Sequence, residues 1–88
     1  MENSEEIRNG QEAQRILDSE VYKNAIQKLA DGYQSQWMNS RPNDVADRER
    51  TYTKLNILAD FVNEVKTVME TGKMAEHERV KQGIGTHY

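Results

Sequence analysis

The sequence predicts an all-α protein: an antiparallel helical hairpin with a short N-terminal helix, completed by self-association into a helical bundle. Three observations predict it. Leu55, Leu58, Val62, Val65 and Met69 recur at spacings of three and four, the a/d seam of a helix that lies against another helix as in a coiled coil. Tyr22, Ile26, Leu29, Tyr33 and Trp37 repeat at the same period upstream, which gives that helix a neighbour. Between the two runs, Asn39-Ser40-Arg41-Pro42-Asn43-Asp44 gathers turn-forming residues around the one proline of the chain. No segment alternates like a strand, and no internal repeat is present.

The elements follow in order. Residues 1–10 show no apolar period and are expected to be a flexible N-terminus. A single helical domain is then expected over residues 11–82. Its first helix covers about 11–17 and sets Ala13, Ile16 and Leu17 on one side. Asp18 and Ser19 offer side-chain oxygens that cap a second helix over about 20–39, with Glu20 at its positive end. Gly32 inside that helix marks either a close backbone approach or a tolerated glycine.

Pro42 lacks an N–H and disfavours helix for Arg41, so the second helix stops before the turn. Asp44 is placed to cap a third helix over about 45–71, and so short a connection makes the two helices antiparallel. Ile57, Phe61 and Val68 form a second apolar stripe beside the seam, and Tyr52 extends it toward the turn. Two stripes ask for two packing neighbours. Gly72 reads as a helix stop, yet 73–82 favours helix, so the helix either resumes or runs through. The tail 83–88 is expected to be disordered.

Composition narrows the class. At 88 residues there is room for one small domain, and without cysteine there is neither a disulfide nor a thiolate metal site. No apolar run reaches the roughly 18 residues of a membrane span. The first ten residues are acidic where a signal peptide would be basic, then apolar. A soluble, intracellular chain with no membrane partner is expected. Two helices alone leave each with one covered side, and no disulfide or metal supports them. A homo-oligomer is therefore expected, with a compact three-helix monomer as the competing outcome. Residues 1–20 carry six acidic residues against two arginines, whereas 66–88 carries four basic against three acidic. This asymmetry suits either a solvated surface or head-to-tail attraction between subunits.

Catalytic and metal-binding patterns are lacking. There is no cysteine nucleophile, no Gly-x-Ser-x-Gly and no phosphate loop after a strand. Asp44, Asp47 and Glu49 cluster at a helix start, where capping accounts for them. Glu76, His77 and Glu78 point about 100° apart on a helix and cannot share one ion. No enzyme, cofactor or metal is expected. The candidate interaction residues are Tyr33, Trp37, Arg48, Tyr52, Ile57, Phe61 and Val68. Trp37, Arg41, Arg48, Arg50 and Tyr52 meet at the hairpin end, either as an anion- or base-stacking cluster or with Trp37 closing the core while Arg48 pairs with Asp44 or another carboxylate. Basic residues near the turn and near the C-terminus keep a nucleic-acid role as an alternative. The acids interleaved among them and the net charge of −3 weigh against it.

Ile16-Leu17-Asp18, the Val21-Tyr22-x-x-Ala25-Ile26 run, Trp37-Met38-Asn39-Ser40 before an acidic turn, Arg48-Glu49 and Thr71-Gly72-Lys73-Met74-Ala75 form a further pattern. Over residues 13–75 it resembles a type of small helical protein of tailed bacteriophages. The resemblance supplies no site residues. It implies a phage accessory or virion-module protein, located in the host bacterial cytoplasm or the virion. Such a protein would bind a phage or bacterial host protein, as an assembly factor or as an inhibitor. A small DNA-packaging component, or a sponge for a nucleotide at a subunit interface, is the alternative.

Overall fold

The computed structural model describes residues 2–85, with side chains described for 4–81. It is all-α, with three helices among the described residues: α1 (Glu2–Asp18), α2 (Glu20–Asn39) and α3 (Val45–Gly85). They make two units. One is Ser19–Asn63, which pairs α2 with the first part of α3; the other joins α1 to α3 from Glu64 onward.

In the unit Ser19–Asn63 the anticipated pairing is present. Tyr22, near the start of α2, meets Phe61 with ring centroids 6.5 Å apart, and Trp37, near its end, meets Tyr52 at 6.3 Å. Early residues of α2 thus face late ones of this part of α3, so the helices run antiparallel. Ser19 starts α2 from an extended conformation, its Oγ accepting from the Tyr22 amide at 3.3 Å. Ser40 ends it, donating from both its N–H and its Oγ to the Trp37 carbonyl. Asp44 begins α3 by position only. Its carbonyl accepts from the Arg48 amide at 3.1 Å, and its carboxylate caps no amide among the described residues.

The seam is half-buried at Leu55, Leu58 and Val62, as its period requires. The second stripe is not covered: Ile57 is 62% exposed and Phe61 54%. Gly32 lies in open space, with nothing within 4 Å of where a Cβ would stand. Of the two readings of this glycine, the tolerated one holds. Gly32→Ala should therefore stabilise the fold by about 1 kcal/mol, because alanine is the better helix former and meets no obstacle. A rise in the urea midpoint at unchanged slope checks this.

The unit formed by α1 and α3 from Glu64 onward departs from expectation at its start and decides between the alternatives left open at Gly72. Helix α1 begins at Glu2, well before Gln11. Ile7, Gly10, Gln14 and Leu17 recur at helical spacing, but Gly10 stands where a large apolar residue would reveal the period. Glu2, Glu5 and Glu6 also suit the positive end of a helix. Only Met1 of the N-terminal segment falls outside the described residues.

Gly72 does not stop α3, which runs without interruption to Gly85. No glycine among the described residues has a positive φ, so Gly72 is not a left-handed cap. It is the next seam position, three residues after Met69. There the backbones touch: a Cβ on Gly72 would stand 2.7 Å from the Gly10 Cα and 2.8 Å from the Glu6 carbonyl oxygen. Ala13 and Ala75, each three residues past its glycine, are 4% and 3% exposed. Two Gly-x-x-Ala steps therefore bring α1 and α3 together without large side chains between them. Residues 83–85 of the tail expected to be disordered lie in the helix, and 86–88 lie outside the described residues.

Candidate functional site

The predicted interaction residues divide into two concavities within the unit Ser19–Asn63. The helical period explains the division, since Tyr52 and Ile57 sit about 140° apart around α3.

The first concavity lies at the hairpin end and is lined by Trp37, Pro42, Val45, Arg48, Glu49 and Tyr52, around a volume of about 440 Å³. Val45, Arg48, Glu49 and Tyr52 share one face of α3 through spacings of three, one and three. Trp37 comes from the last turn of α2, where its carbonyl is held by Ser40. Pro42 closes the cup from the loop. The Arg48 guanidinium lies over the indole of Trp37, 4.4 Å from the ring centroid. This stacking replaces the anticipated bond from the Arg48 side chain to Asp44 or another carboxylate. Arg48 Nε is covered and has no hydrogen-bond partner among the described residues. The cation is thus held by the ring face, with that N–H left without an acceptor.

Of the five residues expected to meet here, Trp37, Arg48 and Tyr52 do. Arg50 turns away and pairs with Asp47 at 2.9 Å, in a polar groove that also includes Asp44, Thr51 and Lys54. Arg41 is not part of the cup. Pro42, Val45 and Glu49 were not among the predicted site residues. The signal for Val45 and Glu49 was their helical spacing from Arg48 and Tyr52.

The second concavity is lined by Tyr33, Lys54, Ile57, Leu58 and Phe61, with a volume of about 330 Å³. Lys54 Nζ lies 5.8 Å from the centroid of the Tyr33 ring. Val68, the remaining predicted residue, belongs to the other unit, where it is 40% exposed.

Among the described residues no three His, Asp or Glu side chains converge as a metal site would require. None of the described helices is long and apolar enough to cross a membrane. Compared with family models, with curated proteins and with solved structures, the chain matches none of them.

Proposed function

We propose that the chain is a non-enzymatic binding protein that grips another protein with the cup at its hairpin end. The observation that carries this reading is the cup itself. It is an open apolar hollow in which Trp37 is 37% exposed, Val45 58% and Tyr52 59%, beside an arginine stacked on the indole. Trp, Tyr and Arg are the residues that most often dominate binding energy at protein interfaces. A complementary partner inserts an apolar side chain between Trp37, Val45 and Tyr52. In the phage setting implied by the sequence resemblance, that partner is a virion component or a bacterial host protein. The place of action is then the host cytoplasm or the virion.

Two immobilised full-length baits test the proposal in extracts of infected and uninfected bacteria, one native and one carrying Trp37→Ala. A partner held by the native chain should be lost at least about 10-fold on the variant, as a central aromatic anchor requires. Equal retention on both baits, or no retained protein, would overturn the assignment.

A second reading is favoured by the same stack, since an indole with an arginine beside it is also a platform for a nucleobase. Glu49 in the cup and the net charge of −3 oppose a phosphate there. Thermal stabilisation by a nucleotide panel, or single-strand binding that weakens steeply with salt, would favour this reading over the first.

A further inference from the structure

We infer that the outward face of α3 centred on Ile57 is where a second copy of this chain docks, antiparallel, with the two-fold axis at Ile57. This face is separate from the cup at the hairpin end, and the inference does not depend on the reading of that cup. Its centre is apolar and uncovered, with Ile57 62% and Phe61 54% exposed.

What identifies the occupant is the order of charges around that centre. Arg50, Lys54, Ile57, Asp60 and Phe61 all lie within about 60° of the Ile57 direction at 100° per residue. The positive residues precede Ile57 and Asp60 follows it. A second α3 laid antiparallel about Ile57 sets Lys54 opposite Asp60, and by symmetry Asp60 opposite Lys54.

A parallel alignment would instead oppose Lys54 to Lys54 and Asp60 to Asp60. The chain is therefore complementary to its own reverse, the condition for an isologous dimer. Neither Lys54 nor Asp60 makes an ion pair among the described residues; the Lys54 ammonium lies 5.8 Å from the centroid of the Tyr33 ring, a contact that leaves its charge unneutralised. The two cannot pair with each other along one helix, being six residues and about 120° apart. Opposite Phe61 the second copy places Thr53, whose hydroxyl already donates to the Glu49 carbonyl at 2.9 Å and so needs no further acceptor in the contact.

Sedimentation equilibrium of the full chain from 1 to several hundred micromolar tests the inference. The native chain should dimerise in that range. Lys54→Glu alone and Asp60→Lys alone should each weaken the dimer by roughly 10-fold, since each turns two opposite-charge contacts into like-charge ones.

The double variant K54E/D60K should recover native affinity within about threefold, because the order of charges is inverted but still matched. An equimolar mixture of the two single variants should also recover it, as a heterodimer. One K54E copy against one D60K copy restores opposite signs at both cross-pairs, one of them reversed and the other as in the native dimer. Circular dichroism confirms that each variant keeps its helix content; both sites are exposed, so folding is not at risk. A native chain that stays monomeric throughout would overturn the inference, as would dimerisation indifferent to the single reversals or a mixture that fails to recover. None of these outcomes bears on the cup or on capture by the Trp37→Ala bait.

Discussion

Gly72→Leu should detach α1 from α3. A Cβ at this position would stand 2.7 Å from one backbone atom of α1 and 2.8 Å from another, and neither can rotate aside as a flexible side chain could. The helices must move apart. Once they do, the burial of Ala13 and Ala75, both almost fully covered, is lost as well. The expected cost is about 3 kcal/mol or more, at the upper end for overpacking, because the obstruction is main chain against main chain. A helix as short as α1 is marginal without tertiary contacts, so it should melt and not merely shift.

Hydrogen exchange reads this directly. Amides of α1 should lose protection in the variant, while those of α2 keep theirs. Gly10→Leu should have the same effect, because a Cβ there meets the Gly72 Cα at 2.7 Å. The double variant should cost much less than the two singles combined, since separated helices no longer collide. If α1 keeps native protection in Gly72→Leu, the close crossing is wrong.

Trp37→Ala should loosen the hairpin end as well as empty the cup. The indole meets both the Tyr52 ring and the Arg48 guanidinium, so its removal deletes both interactions. At 37% exposed, Trp37 is less than fully buried, and the loss should fall near ~2 kcal/mol, below the range for complete burial. Trp37→Phe should recover part of it by restoring a ring face for Tyr52 and Arg48. Arg48→Met should cost less than Trp37→Ala, since the thioether can still lie on the indole while the cation is lost.

Because Trp37 is the one tryptophan of the chain, its fluorescence reports on the cup in isolation. Arg48→Met should alter its emission without changing helix content. Unchanged emission would mean that guanidinium and indole are not stacked in solution.

The stack was half legible in the sequence. Trp37 and Arg48 bracket a short turn and had to end near each other, but sequence position did not decide between a carboxylate and a ring as the partner of Arg48. The guanidinium is held by the indole because Trp37 presents its face at the distance from α3 that the pairing of Tyr22 with Phe61 and Trp37 with Tyr52 imposes. Similarly, the sequence placed Tyr52 on the stripe of Ile57 and Phe61 and also at the hairpin end with Trp37 and Arg48. Tyr52 lines only the cup and Ile57 and Phe61 only the second concavity, because positions five apart on a helix point in widely different directions.

The sequence by itself determined the all-α class, the extent of α2, the turn around Pro42 and the seam that faces inward. These follow from local sterics and from periodicity, which act over a few residues. Only the tertiary structure decided what the glycines do. A glycine gives the same local signal whether it ends a helix, weakens one or lets two helices touch, and the neighbour that distinguishes these cases lies far away in the chain. Gly32 faces open space, whereas Gly10 and Gly72, 62 positions apart, meet backbone to backbone.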